Sequence, residues 1–289
     1  IYTVRACKGS VFSAFYEINP FKFLSQVKFK SITNNNTSLV VSWNKNDAAD
    51  GYYLYRREGN GNWLRIADIK DKNTTSYTDT NVKSGTDYCY RIRAFSGGTV
   101  SSYDVNGIGT RFLKAPVIKG TTNVIEGISF SWEAVKGVTC YRIYRRAAGE
   151  RYWTYLGDAT GTTYLDKNVK SGVYYKYTAR SAYKNNYAGF DSNGSLIKCV
   201  ATPKISEAKC IANGVEVKWN AIDGAMGYYV YHKVEGARYW TRIAVLNDAT
   251  SFVDKDVVAG KTYAYTVKAF YGYTMSSYYE DGPKCQYTK

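Results

Sequence analysis

The sequence of 289 residues is poor in proline, methionine and histidine, and it lacks long apolar segments. It contains four prolines, two methionines and one histidine. The absence of any run of 18 or more apolar residues excludes a membrane-spanning helix. Methionine is common in helical cores and tyrosine favours strands, so two methionines beside thirty tyrosines indicate β structure.

The formal net charge of +15 is spread along the chain and is highest between residues 114 and 202. Proteins that read nucleic acids usually concentrate basic residues in a stripe or on one helix. Spread basic charge is more typical of solubility and of loose attraction to polyanions. We therefore predict no nucleic-acid partner.

An internal repeat is the strongest pattern in the chain. Three Val/Phe-x-Trp segments end at Trp43, Trp132 and Trp219, which are 89 and 87 residues apart. Further markers follow each of them in the same order: an aromatic strand (52–55, 141–144 and 228–231), a second tryptophan (Trp63, Trp153 and Trp240) and a Tyr-x-Tyr pair after a glycine (88–90, 175–177 and 263–265). These segments alternate with period two between Gly, Asn, Asp and Ser turns, which predicts sandwiches of short antiparallel strands.

These motifs resemble fibronectin type III modules, and the resemblance covers most of the chain. It implies an all-β fold of tandem immunoglobulin-like, seven-stranded sandwiches in an elongated array. It also implies that Tyr88, Tyr175 and Tyr263 form tyrosine corners, in which the hydroxyl bonds nearby backbone. The richness in tyrosine, with Gly and Asn turns, is similar to modules in surface proteins of Gram-positive gut bacteria.

The repeat predicts four segments. Residues 23–113, 114–202 and 203–289 are each expected to form one module. Residues 1–22 are expected to form the last two strands of an upstream module, because residues 2–6 align with residues 90–94. The chain then begins inside a strand and without a leader, so we expect it to be a piece of a longer protein. The joints between modules lack Gly/Ser runs, which predicts a semi-rigid rod.

The six cysteines show no Cys-x-x-Cys pair and no repeated position, so neither a zinc site nor a redox motif is predicted. They are expected to be free, half-buried thiols. Cys210 and Cys285 are the one pair to check, because both are expected near the same pole of the last module.

Motifs for catalysis are missing. The sequence contains no glycine-rich phosphate loop, His-Glu-x-x-His or calcium-loop pattern. His232 aligns with arginines in the other repeats, so we expect a surface residue at a strand end. Asp79, Asp166 and Asp254 recur before the Tyr-x-Tyr strand, where an aspartate bonds its own backbone in a turn. We predict that the chain is not an enzyme and that it uses no cofactor and no metal.

Outward-facing aromatic and basic residues are the better candidates for a binding site. Strand alternation places Tyr52, Leu54 and Tyr90 in the core and their neighbours on the outside of the sheet. Such a face stacks sugar rings or pairs with anions, whereas the alternative is a solvated cross-strand ladder. The candidate binding residues are Tyr53, Tyr55, Arg57, Arg142, Tyr144, Arg146, Trp153 and Trp240. The loops between the sixth and seventh strands differ most between modules and are further candidates.

The predicted function is a non-catalytic extracellular spacer and interaction segment of a larger bacterial cell-surface or secreted protein. The alternative is an adhesin that binds glycans or host proteins through the outward Tyr/Arg face or the variable loops. The predicted partners are other domains of the parent protein and cell-wall polyanions, glycans or host surface proteins. Exposure separates the two hypotheses, because a contiguous exposed aromatic patch favours binding and covered rings favour the spacer.

Overall fold

The computed structural model describes residues 5–14 and 23–288. At the start of the chain a short antiparallel pair joins strands β1 (Cys7–Lys8) and β2 (Val11–Phe12). The rest of the segment predicted as the end of an upstream module, residues 1–4 and 15–22, lies outside the described residues. None of the described residues belongs to a helix with the length and apolar character that crossing a membrane needs.

The first sandwich packs a three-stranded sheet of order β3-β4-β7 against a sheet of order β10-β8-β5-β6, in which β9 also pairs with β8. All the pairs are antiparallel. The strands are β3 (Phe29–Asn34), β4 (Leu39–Trp43), β5 (Gly51–Glu58), β6 (Leu64–Ile69), β7 (Ser76–Asp79), β8 (Thr86–Ser96), β9 (Thr99–Val100) and β10 (Ile108–Phe112). The seventh strand is thus split into two segments, β9 and β10, that pair with different parts of β8.

The second sandwich repeats this arrangement. Its sheets are β11-β12-β15 and β14-β13-β16, with β18 also paired to β16. The strands are β11 (Ile118–Val124), β12 (Gly127–Trp132), β13 (Cys140–Ala147), β14 (Thr154–Ala159), β15 (Thr163–Asp166), β16 (Tyr174–Tyr183), β17 (Asn186–Tyr187) and β18 (Ser195–Lys198).

The third sandwich has the sheets β19-β20-β23 and β22-β21-β24, with β25 and β26 both paired to β24. The strands are β19 (Ile205–Ile211), β20 (Gly214–Trp219), β21 (Gly227–Val234), β22 (Thr241–Leu246), β23 (Ser251–Asp254), β24 (Thr262–Tyr271), β25 (Thr274–Met275) and β26 (Lys284–Gln286). The predicted all-β fold class is therefore confirmed. The module boundaries drawn from the sequence stay a prediction.

Each sandwich has its own apolar core, which the alternation of the strands fills from both sheets. In the first sandwich Tyr52, Leu54 and Tyr90 are fully buried, as the alternation predicted. Trp43 packs edge-on against Tyr52, with 5.5 Å between the ring centroids. The equivalent pairs are Trp132 with Tyr141 and Trp219 with Tyr228, at 5.3 and 5.5 Å. Edge-to-face contacts stabilise the core in addition to the stabilisation that comes from burying such large rings.

The chain divides into two compact units. Unit 1 comprises residues 1–114 with 185–188, and unit 2 comprises residues 115–184 with 189–289. Unit 2 therefore holds both the core of the second sandwich and the core of the third.

Inside unit 2, two glycines bring the second and third sandwiches into close backbone contact. Gly172 and Gly224 have φ angles of +84° and +73°, in the left-handed region that favours glycine. A Cβ on Gly224 would lie only 2.4 Å from the Cα of Gly172. Ser171 Oγ also donates a hydrogen bond of 2.8 Å to the carbonyl oxygen of Asp223. The close contact requires Gly224 to remain without a side chain, and the positive φ of Gly172 would strain any other residue at that position.

A lysine and two tyrosines complete this joint. The ammonium of Lys198, a buried residue, lies 3.1 Å from the centroid of the Tyr271 ring and 5.5 Å from that of Tyr174. The two rings meet edge-on at 6.2 Å, and their hydrogen bond raises the pKa of Tyr174. A cation over an aromatic face is stabilised by the ring quadrupole, most strongly where water is excluded. The joint is thus a packed contact rather than a loose linker.

Candidate functional site

The outward face of the first sandwich is a continuous stack of aromatic and guanidinium groups. Trp63 lies between two arginines, with Arg57 at 5.0 Å and Arg91 at 4.1 Å from its ring centroid. Arg91 also lies 5.1 Å from the Tyr103 ring, and Arg93 covers the same ring at 5.2 Å. Side chains from β5, β8 and two loops therefore interleave into one ladder, which includes the predicted Arg57.

The remaining candidate tyrosines of this face are also covered. Tyr53 stacks on Phe95 at 4.5 Å, and Arg65 lies 4.8 Å from its ring centroid. Tyr55 meets Tyr103 at 6.5 Å. Tyr53 and Tyr55 are half-buried as a result.

The second sandwich carries the same ladder with different partners. Tyr144 contacts Tyr155 at 5.6 Å and stacks on Phe190 at 6.1 Å. Trp153 meets Phe190 edge-on at 5.9 Å, and Arg146 lies 5.1 Å from the Trp153 ring. Arg142 covers Tyr155 at 4.4 Å and pairs with Asp158 at 3.7 Å.

In the third sandwich lysines replace two of these arginines. Lys233 lies 4.8 Å from the Trp240 ring, and Lys268 lies 4.2 Å from the Tyr278 ring. Trp240 meets Tyr278 edge-on at 6.4 Å and donates its indole N–H to Glu280 at 3.5 Å. At these two rings the covering cation is therefore an ammonium rather than a guanidinium.

The structure brings the eight candidate residues onto equivalent faces, but it does not make them an open aromatic patch. All eight are half-buried, and cations or other rings cover the aromatic faces. Trp153 and Trp240 lie one residue before strands β14 and β22. This arrangement favours the cross-strand ladder over a free stacking platform.

The most exposed aromatic side chains near these faces are two tyrosines, each of which directly precedes a candidate tryptophan in the sequence. Tyr152 is 72% exposed and Tyr239 is 70% exposed. Both lie in an Arg-Tyr-Trp-Thr segment, residues 151–154 and 238–241, and the preceding arginine lies over each ring at 5.3 and 5.2 Å. The first sandwich has Gly61-Asn62-Trp63 at this place, so it lacks the exposed tyrosine.

The three recurring aspartates are buried in the sandwiches, where each binds side chains of the opposite sheet. Asp79 Oδ2 accepts hydrogen bonds from Arg56 Nη1 at 2.9 Å and from the Tyr90 hydroxyl at 2.7 Å. Its Oδ1 accepts the backbone N–H of Asn81, which is the turn contact that the sequence predicted. The equivalent groups are Asp166 with Arg145 and Tyr177, and Asp254 with His232 and Tyr265.

The expectation that His232 is a surface residue was wrong. Its side chain is 13% exposed, and its Nδ1 donates to Oδ2 of Asp254 at 2.7 Å. The ring also lies 5.2 Å from that of Tyr263, as Arg56 lies over Tyr88 and Arg145 over Tyr175. The histidine thus takes the place of the buried arginine, because a buried carboxylate needs a hydrogen-bonded cation or donor beside it.

The third cluster changes the pKa values of its members. Burial acts to raise the pKa of Asp254, but the hydrogen bonds and charge of His232 and the hydroxyl of Tyr265 outweigh it, so the net pKa is lowered. Burial and the neighbouring carboxylate raise the pKa of Tyr265, as they raise those of Tyr90 and Tyr177 in the other sandwiches. The tyrosine hydroxyls therefore stay protonated and act as donors.

Tyr88, Tyr175 and Tyr263 make the hydrogen bond that a tyrosine corner has. Each hydroxyl accepts a backbone N–H from five residues earlier: Lys83 at 2.9 Å, Lys170 at 2.9 Å and Val258 at 3.0 Å. These contacts attach the segment before the long central strand to the sheet.

None of the six cysteines forms a disulfide, so Cys210 and Cys285 are not paired with each other. Cys199 is buried, and burial raises the pKa of its thiol to about 11. Within residues 5–14 and 23–288 there is no group of three or more His, Cys, Asp or Glu side chains that could hold a metal ion.

Part of the first sandwich matches a known domain family. Residues 25–106 match the family model of the fibronectin type III domain. The sequence is 26% identical to Exoglucanase B of Cellulomonas fimi in an alignment of 267 positions. The alignment covers 81% of this chain and spans 23% of the length of that relative.

Two solved structures with tandem modules are also similar. The FN1–FN3 domains of chicken CNTN1 align with 92% of this chain and 98% of that one, at 15% identity and a TM-score of 0.30. A two-domain fibronectin type III segment of chicken tenascin aligns with 61% of this chain and 98% of that one, at 20% identity and a TM-score of 0.35.

Proposed function

We propose that this chain is a non-catalytic extracellular spacer and interaction segment of a larger bacterial secreted or cell-surface protein. The observation that carries the proposal is the covering of the outward rings by cations in all three sandwiches. Such faces offer no open aromatic surface to a ligand. The sandwiches then serve as structural units in series. The similarity to a part of a bacterial exoglucanase supports a place beside a catalytic domain in the parent protein.

The joint inside unit 2 supports the mechanical part of this function. Gly172 and Gly224 pack backbone to backbone, and Lys198 lies against two tyrosine rings. A spacer that holds another domain at a distance needs joints that resist bending, and packed joints do this better than flexible linkers. The spread positive charge suits a location near anionic wall polymers.

Single-molecule force spectroscopy tests the spacer directly. With the chain held at both ends, we expect separate unfolding events that each release about 30 nm of contour, which is the length of a module's extended chain. We also expect recovery on relaxation, because each sandwich has its own core. Smooth extension without discrete events would contradict a load-bearing spacer.

An adhesin function is the second candidate, and the exposed Arg-Tyr-Trp hairpin tips favour it. Tyr152 and Tyr239 present tyrosine rings beside arginines on two sandwiches, which is a composition common at recognition surfaces. The test is binding of the chain to immobilised glycans and host surface proteins at low and physiological salt. Saturable binding that survives salt and is lost in the Tyr152→Ala, Tyr239→Ala double variant supports the adhesin.

Binding that disappears at physiological salt indicates attraction of the basic surface to polyanions only. The matched control is Asn62→Ala, which changes the same hairpin position in the first sandwich, where no exposed tyrosine occurs. An equal loss of binding in this control would contradict a role for the tyrosine rings.

A further inference from the structure

Unit 2 contains a cleft of about 500 Å³ between the second and third sandwiches. One wall comes from the ends of strands β11 and β18, and the other from the β24–β25 hairpin and the segment that follows it. Ligand sites often lie between domains and have volumes of about 300–1,000 Å³. The cleft therefore has the place and the size of a binding site.

A buried asparagine holds the floor of this cleft. Asn123 is 4% exposed, and its Nδ2 donates to the carbonyl oxygens of Lys198 at 3.1 Å and Met275 at 3.3 Å. Its Oδ1 accepts the backbone N–H of Val200 at 3.3 Å. One side chain thus ties the second sandwich to the β24–β25 hairpin, so the cleft is formed before any ligand arrives. A preformed site loses less conformational entropy on binding.

The walls are rich in hydroxyl groups. The cleft is lined by Thr122, Thr274 and Ser277, whose side chains form no hydrogen bond within the part of the chain that the structure describes. Ser276, in contrast, is occupied, since its hydroxyl donates to the Ser277 carbonyl and accepts the N–H of Ala269. The hydroxyls of Thr122, Thr274 and Ser277 can each donate one hydrogen bond to a ligand and accept others from it.

A cation and two aromatic rings border the hydroxyls. Lys268 lies on the wall with its ammonium over the Tyr278 ring at 4.2 Å. Tyr273 projects from the tip of the β24–β25 hairpin, where Gly272 has a φ of +53°, and it is fully exposed. A fully exposed ring loses no packing when a ligand covers it.

We propose that this cleft binds an oligosaccharide. Sugar rings present C–H groups on their faces and hydroxyls at their edges. The Tyr273 ring supplies an apolar surface for a sugar face, while Thr122, Thr274, Ser277 and Lys268 supply donors and acceptors for sugar hydroxyls. The site is separate from the hairpin tips at Tyr152 and Tyr239, and it needs both sandwiches of unit 2.

Binding of the full chain to an array of immobilised plant, bacterial and animal oligosaccharides tests this proposal, with a peptide array run in parallel. We expect saturable binding of the wild type to at least one oligosaccharide at physiological salt. Tyr273→Ala and Thr274→Val should each weaken it about tenfold, because each removes one direct contact without burying a new group. Leu64→Ala, which removes an exposed apolar side chain of the first sandwich outside the cleft, should leave binding unchanged.

Three outcomes would overturn the proposal. They are no saturable oligosaccharide binding by the wild type, binding to peptides alone, and binding that Tyr273→Ala leaves intact while Tyr152→Ala abolishes it. The last outcome would assign the ligand to the hairpin tips. Circular dichroism of Tyr273→Ala and Thr274→Val shows whether the sandwiches stay folded, and a chemical-shift map of the sugar complex locates the ligand independently of any variant.

Discussion

The Nδ1 atom of His232 lies 2.7 Å from Oδ2 of Asp254, where the first and second sandwiches place an arginine beside the equivalent aspartate. In each sandwich this contact joins one sheet to the other through a buried carboxylate. The third sandwich therefore has the same polar cluster as its neighbours, with a titratable imidazole in place of a permanently charged guanidinium.

Loss of this imidazole is expected to destabilise the third sandwich. In His232→Ala the carboxylate of Asp254 keeps its burial and loses a partner, which costs about 2–4 kcal/mol. His232→Arg restores the side chain that the other sandwiches use, so it should remain close to the wild type. Urea unfolding followed by hydrogen exchange of peptides from residues 203–289 measures both. Equal stability of the wild type and His232→Ala would show that the contact contributes nothing.

Acid should weaken the same cluster. The folded state lowers the pKa of Asp254 below the ordinary aspartate value of 3.8. Its stabilising contribution is therefore complete above pH 3.8 and is lost as the pH falls through the lower folded-state value. In Asp254→Asn the free energy of unfolding of the third sandwich should therefore fall less steeply than in the wild type between pH 5 and pH 2. An unchanged slope in this variant would assign the effect to other carboxylates.

A methyl group at the joint of unit 2 should separate its two sandwiches. Gly224→Ala places a Cβ 2.4 Å from the Cα of Gly172 at a φ of +73°, so both contact and backbone conformation are lost. We expect the third sandwich to tumble independently of the second, with each core retained. NMR relaxation rates of the two sandwiches measure whether they tumble together. The control for backbone strain alone is Gly236→Ala, because Gly236 has a φ of +84° and open space around it.

Removal of a tyrosine-corner hydroxyl should destabilise each sandwich to a similar extent. Tyr88→Phe keeps the ring and deprives the Lys83 N–H of its acceptor, at a cost of about 1–2 kcal/mol. Tyr175→Phe and Tyr263→Phe remove the equivalent bonds. Denaturant unfolding of the three single variants compares them. Tyr53→Phe, in which the hydroxyl of an outward tyrosine is lost, should have almost no effect.

The buried thiol of Cys199 should resist alkylation in the folded chain. Burial raises its pKa to about 11, so its reactive thiolate is scarce near neutral pH, and the side chain is inaccessible. Iodoacetamide at pH 8 should modify the exposed Cys7 quickly and Cys199 only after unfolding. Peptide mass spectrometry measures the two rates, and rapid labelling of Cys199 in the native chain would show that this region opens locally.

Much of the fold follows from short-range patterns in the sequence. The period-two alternation around Tyr52 and Tyr90 indicates which face of each strand is buried, because neighbouring side chains on a strand point to opposite sides. The spacing of Trp43, Trp132 and Trp219 indicates the repeat. The outward position of Tyr53, Tyr55 and Tyr144 follows from the same alternation.

Strand alternation could not predict that cations and other rings cover the outward aromatic side chains of the candidate site. Whether Tyr55 or Trp153 is an open platform depends on Tyr103 and Phe190, which come from loops far along the chain. Their positions are set by loop conformation, on which strand periodicity carries no information.

The sequence alone determined that this protein is built from repeated sandwiches with aromatic cores, since hydrophobic alternation and turn residues act over a few positions. Only the tertiary structure decided that His232 is buried on Asp254, that Gly172 meets Gly224, and that a hydroxyl-lined cleft forms beside Asn123. Each of these contacts joins residues that are more than twenty positions apart, so it depends on how the sheets and sandwiches pack rather than on any local pattern.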